Sequence, residues 1–126
     1  MELARIYVVA NATKPDALRA LADLKVWCQE RRIEAVPVDD DPPKDAEGAI
    51  VLALGGDGTV LRAASLFELS EIPILGVNLG SLGFLTQAPL RGFSHALEHV
   101  FADEFVVEER MRIGFKAAGS EGSALN

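Results

Sequence analysis

The residues best suited to chemistry stand together at Gly55-Gly56-Asp57-Gly58-Thr59, with Leu61 and Arg62 just beyond. The run Ala49-Ile-Val-Leu-Ala-Leu54 leads into them, and its unbroken apolar character fits a strand buried on both faces of a parallel sheet. After the cluster, Val60, Ala64 and Phe67 recur at helical spacing. A strand, a glycine turn and a helix N-terminus in succession make an anion site. The first N–H groups of a helix have no internal partner, and the helix dipole adds partial positive charge. Gly55, Gly56 and Gly58 are read as permitting backbone angles and close approach that a Cβ would block. Asp57 is the odd member, because an acid opposes a phosphate, so it is expected to serve a metal or a proton. Asp-Gly is also a common hairpin pair, but hairpin strands alternate and these flanks do not. The third glycine of G-x-G-x-x-G is missing and no Gly-Lys-Ser/Thr closes a Walker loop. This is a phosphate loop of another kind.

A second glycine-rich stretch, Asn78-Leu-Gly-Ser-Leu-Gly-Phe84-Leu-Thr86, follows the short apolar strand Ile72–Val77. Ligands of open parallel sheets sit beyond the carboxyl ends of the strands, so both loops are expected to face one crevice. Phe84 has two readings there, as loop packing or as a face on which a base stacks. Other candidates read as structure. His95-x-x-Glu98-His99 matches the inverted zinc-peptidase motif. Projected on a helix, however, Phe93, Leu97, Val100 and Phe101 form the buried face, and the motif points to solvent. The acids of Asp39–Asp45 lie beside a Pro-Pro pair and read as a solvated loop, and Cys28 as a buried structural thiol. No resident metal site is expected.

The elements that must hold these residues follow from the pattern along the chain. Ala4–Ala10 reads as a strand, and a helix from Pro15 puts Ala17, Leu21, Leu24 and Cys28 on one face, ending at Arg31 and Arg32. Glu34–Val38 is a strand that Pro37 places near a sheet edge. The strand and helix around Asp57 follow, then Ile72–Val77, then a helix over Pro89–Phe101. Phe105–Phe115 reads as one long strand and Ala117–Ser123 as a flexible turn. The expected fold is α/β, a doubly wound, mostly parallel, Rossmann-like sheet. Residues 1–103 form its nucleotide-binding domain, and 104–126 a connecting strand and the start of a β-rich second domain.

Composition narrows the partners. With 49 % apolar and 25 % charged residues, the 126-residue chain is globular rather than disordered. A net charge of −7 argues against nonspecific nucleic-acid binding, which needs clustered Lys and Arg. A phosphate ligand must therefore be held locally, by backbone donors, Arg62 and a divalent metal. One cysteine rules out an internal disulfide. With no apolar run of membrane-spanning length and no signal peptide at its start, the chain reads as cytoplasmic and not membrane-bound.

The pair of motifs at Gly55–Thr59 and Asn78–Thr86 resembles bacterial NAD kinases. The first motif is shared with phosphofructokinases and diacylglycerol kinases; the second, at this distance, is more specific. Glu108-Glu-Arg-Met-Arg112 and Ala124-Leu-Asn126 resemble the same family. The resemblance implies phosphorylation of the adenosine-ribose 2′-hydroxyl of NAD, giving NADP, with ATP or polyphosphate as donor and magnesium carried by the nucleotide. It implies Asp57 as the catalytic group that deprotonates or holds the hydroxyl. Gly55, Gly56, Gly58 and Thr59 would cradle phosphates, with Leu61, Arg62 and Asn78 in the same cofactor-binding set. Phe84 would line the adenine pocket, and Asn126 would be the asparagine of the family's Asn-Asp/Glu pair. Family members carry a second, β-rich domain with subunit contacts, so the full-length protein is expected to be a homo-oligomer. This chain is expected to be an amino-terminal domain, folded but with little activity alone. The alternatives are a lipid or sugar kinase of the wider group, or a nucleotide-binding module without catalysis.

Overall fold

The computed structural model describes residues 2–11, 13–41, 45–79, 88–89, 93–102, 112–117 and 120–125. Five strands form one sheet in the order β2-β1-β3-β4-β5, every neighbouring pair parallel. They are β1 (Arg5–Ala10), β2 (Glu34–Pro37), β3 (Ala49–Gly55), β4 (Ile74–Asn78) and β5 (Ala88–Pro89). Helices α1 (Pro15–Glu30), α2 (Asp57–Leu66) and α3 (Phe93–Phe101) cover it. The expected doubly wound α/β architecture is the one found. β3 is central, and all of its residues are buried, as an unbroken apolar run requires. β2 is an edge strand, where Pro37 costs no inner ladder bond.

Alternation along the strands sorts the core into two layers. Ile6 and Val8 of β1 and Ile50, Leu52 and Leu54 of β3 pack with Ala20, Leu24 and Trp27 of α1 and Leu97 of α3. Tyr7, Val9, Val51 and Ala53 face the other way, against Val60, Ala63 and Phe67. So α1 and α3 share one face of the sheet and α2 takes the other. The buried side of α1 includes Ala20 and Trp27 besides the expected Ala17, Leu24 and Cys28, whereas Leu21 is only half-buried. Burial pushes the Cys28 thiol up to about 11, against a smaller opposing pull from Arg31.

Beyond small shifts at element ends, three features differ from the sequence reading. The helix expected from Pro89 begins at Phe93, and Pro89 instead ends the edge strand β5, where its missing N–H is tolerated. Phe101, placed on the buried face, is 42 % exposed, its ring edge-on to Trp27 at the rim of the layer. Phe93, Leu97 and Val100 are buried as expected, and His95, Glu98 and His99 are exposed. Lastly, Ala117–Ser123 is no flexible turn. β6 (Arg112–Ala117) and β7 (Ser120–Leu125) pair antiparallel with Ala117 opposite Ser120, so most of that stretch is strand. The expected strand Phe105–Phe115 overlaps β6 at 112–115, and its earlier part lies outside the described residues.

Candidate functional site

β3 passes into α2 through one residue. Gly55 ends the strand, Gly56 caps the helix in an extended conformation (φ −154°, ψ −158°), and Asp57 is already its first residue. The N–H groups of Thr59 and Val60 both close on the Gly56 carbonyl at 3.1 Å. The first turn of a helix has no intrahelical carbonyl for its leading N–H groups, and this end of α2 follows directly on the carboxyl end of β3. At the first helical position a carboxylate stabilises the helix end. Asp57 therefore costs the fold less than a loop acid beside a phosphate would.

The three glycines have different causes. A Cβ on Gly55 would lie 2.1 Å from Thr59 Oγ1, 2.8 Å from Thr59 Cβ and 3.2 Å from Asn11 Cβ. Only glycine lets the buried Thr59 fold back over the strand end. Gly56 and Gly58 differ: among the described residues a Cβ at either meets no atom within 4 Å, and neither has a positive φ. None of the three has a positive φ, so the unusual backbone angles expected of them are not found. Among the described residues, the space beside Gly56 and Gly58 is open.

Neighbouring strand ends complete the edge. The Leu79 N–H donates to the Gly55 carbonyl at 2.7 Å, and Asn78 pairs with Gly55 in the ladder, which brings the start of the second glycine-rich stretch beside the first. Asn78 is 9 % exposed and Thr59 8 %, so both are held inside the edge. Leu61 is half-buried. Arg62 is exposed, with Nη2 3.4 Å from Asp40 Oδ1 in the loop after β2. Phe84 and Asn126, the remaining expected cofactor-binding residues, lie outside the described residues.

The sequence reading missed the loop after β1. The Asn11 N–H donates to the Leu54 carbonyl at 2.9 Å, and Asn11 Oδ1 accepts from Thr13 N–H at 3.1 Å and from Thr13 Oγ1 at 2.6 Å. This side chain-to-backbone turn leads into Lys14, the exposed residue ahead of α1, and Pro15, the first helical residue. β1 feeds a helix on one face and β3 a helix on the other. Their diverging loops make the topological switch point, where open α/β sheets bind ligands. Asn followed two residues later by Thr and then by Pro, after a buried strand, was the signal available.

For a magnesium–nucleotide, the donor set suits a shared ion. Magnesium takes oxygen ligands, keeps several waters and is commonly held by one or two carboxylates together with substrate phosphates. Asp57 offers one such carboxylate at the helix start. Among the described residues no three of His, Cys, Asp and Glu converge as a resident metal cage would require.

Fold and site together define a doubly wound α/β domain with a strand–glycine–helix anion turn, holding one acid, at its switch point. The family model described as the ATP-NAD kinase N-terminal domain matches residues 23–105, and the chain belongs to that family. An NAD kinase of Syntrophobacter fumaroxidans is 35 % identical over 121 residues, which cover 86 % of this chain and 42 % of that protein. For an NAD kinase of Mycolicibacterium paratuberculosis the identity is 43 % over 99 residues, 79 % of this chain and 29 % of the relative. The crystal structure of yeast NADH kinase complexed with NADH matches with a TM-score of 0.71 at 18 % identity, covering 99 % of this chain and 46 % of that one. At that identity the likeness shows the fold. The chain spans less than half the length of these relatives.

Proposed function

We propose that this chain is the phosphate-binding part of an NAD kinase, which transfers a phosphoryl group from ATP or polyphosphate to the adenosine-ribose 2′-hydroxyl of NAD. The observation that carries the proposal is the open turn at Gly56–Gly58, set at the switch point of a chain belonging to the NAD kinase family. That membership does not favour the lipid and sugar kinases, which share only the first motif.

Phosphoryl transfer asks the protein mainly for positioning and for neutralisation of charge. The first N–H groups of α2 receive phosphate oxygens, and glycine at 56 and 58 lets them approach the backbone closely. Asp57 accepts the hydrogen of the 2′-hydroxyl, aligns its oxygen for attack on phosphorus, and takes the proton as the P–O bond to the donor breaks. Magnesium carried by the nucleotide would supply charge neutralisation, and Asp57 is the carboxylate that would hold it. Asn78, Leu61 and Arg62 complete the near wall, and Lys14 adds a cation from the β1 side. Phe84 and Asn126 belong to the adenine and ribose side of the same reading.

Residues 1–103 act as the nucleotide-binding domain and 104–126 as the start of a second, β-rich one. In the full-length protein that second part is expected to supply further NAD contacts and a homo-oligomer surface, in the cytoplasm. Among the described residues no helix is long and apolar enough to cross a membrane.

Calorimetric titration with NAD, run beside an assay of NADP formation, tests the role of Asp57. Asp57→Asn should weaken NAD binding about tenfold, in line with loss of a charged hydrogen bond, and remove whatever turnover the chain supports. Equal NAD affinity and equal turnover in both proteins would leave a binding module to which Asp57 contributes nothing.

A further inference from the structure

His95 and His99 stand four residues apart on one exposed face of α3. Their rings meet at 90° with centroids 4.8 Å apart, and their Nε2 atoms are 3.3 Å apart. Two metal–nitrogen bonds of about 2.05 Å at a tetrahedral angle hold their nitrogens about 3.3 Å apart. The imidazoles are therefore already spaced at the bite of a tetrahedral ion. His99 lies in the last turn of α3, where the helix dipole favours a cation.

Glu98, between them in sequence, is committed elsewhere. Its Oε1 accepts a hydrogen bond from Trp27 Nε1 at 2.8 Å and also pairs with Arg31 Nη2. The Arg31 guanidinium lies over the Trp27 ring, 4.2 Å from its centroid. This cluster turns the carboxylate toward α1, away from the part it would play in a zinc peptidase.

We propose that His95 and His99 form a two-ligand surface site for a borderline divalent transition metal, of the class of copper(II), nickel or zinc. The remaining positions are open to water or an incoming ligand. In the metal-free pair a direct hydrogen bond needs Nε2–H on one ring and a lone pair on the other. On binding, the first ring exchanges its proton through solvent from Nε2 to Nδ1, so that both Nε2 lone pairs meet the metal. Imidazole suits these metals, while magnesium takes oxygen ligands. The site is therefore chemically separate from the phosphate turn, and it does not depend on NAD being the substrate.

Titration of the full chain with copper(II), nickel and zinc chlorides, with magnesium chloride as the comparison, tests this. We expect one saturable site, tightest for copper, and no response to magnesium. His95→Ala and His99→Ala should each weaken nickel binding by at least about tenfold, or about 1.4 kcal/mol. Both side chains are exposed, so the metal-free variants should keep the parent's circular dichroism and melting temperature. Nickel binding that survives either substitution, or no saturation below about 1 mM in the parent, a binding free energy of about −4 kcal/mol, overturns the proposal.

Discussion

A methyl group added at Gly55 would lie inside the Thr59 side chain, whereas at Gly56 or Gly58 it would meet no atom of the described residues within 4 Å. The three substitutions should therefore separate folding from binding. Gly55→Ala forces a buried side chain off its position and should cost about 1–3 kcal/mol in a denaturant titration. Gly58→Ala sits in the first turn of α2 and should leave stability unchanged or raise it by up to about 1 kcal/mol. Yet it should abolish detectable ATP binding, as should Gly56→Ala. Stability loss in Gly58→Ala, or unaltered ATP binding in both open-side variants, would remove the ligand as the reason for these glycines. Cys28 carries a pH prediction at the same scale. Its thiol is raised to about 11 by burial, from an ordinary value of 9.0. Below pH 9 the thiol is neutral in both states and costs nothing. Between about pH 9 and 11 the unfolded chain loses its proton first, so stability falls as pH rises. Denaturant melts of the parent and of Cys28→Ala across that window should show a steeper fall in the parent. Parallel slopes would contradict the assignment. The motif residues themselves were legible, since glycines around one acid between an apolar strand and a helical run can be read without coordinates. Which glycine serves the fold and which serves the open side was not legible, because it depends on where Thr59 and Asn11 lie.

Among the elements, α1 ends in an arrangement that names its own improvement. Arg31 caps the helix and Arg32 follows at φ 57°, in the left-handed region. The N–H of Ile33 donates to Cys28 O at 2.9 Å, and that of Arg32 to Gln29 O at 3.3 Å, the pattern of a Schellman ending. Glycine is the usual residue at the position Arg32 holds, because a Cβ is strained there. Arg32→Gly should stabilise the chain by about 1 kcal/mol, read as a higher denaturant midpoint at unchanged slope. A lower midpoint would mean that the Arg32 side chain contributes more than its backbone strain costs. The element pattern was largely open to reading from periodicity, and the failures share one cause. Pro89, Phe101 and Ser120–Leu125 are each placed by what lies beside them. Pro89 closes an edge strand against β4, Phe101 meets Trp27 at the rim, and β7 exists as the partner of β6. A window of sequence carries its own period and not its neighbours. Ala117–Ser123 reads as a turn because Gly and Ser punctuate it, and the pairing of β6 with β7 overrides that local preference.

At the scale of the molecule, strand order brings the chemistry together. Because α1 and α2 pack on opposite faces, the loops after β1 and β3 diverge at the switch point, with the end of β4 beside them at Asn78 and Leu79. A chain with net charge −7 does not draw phosphates from a distance. The proposed capture of a phosphate therefore rests on local donors: the first turn of α2, Lys14 and Arg62. The central claim is that one nucleotide crevice spans these strand ends. An amide NMR titration of the full chain with NAD, and then with ATP and magnesium, tests it most directly. Shifts are expected at Asn11, Thr13 and Lys14, at Gly55 through Leu61 and at Asn78 and Leu79, with the amino-edge residues Arg5, Glu34 and Gly48 unmoved. A dispersed spectrum that neither nucleotide perturbs, or shifts confined to the amino edge, would contradict it.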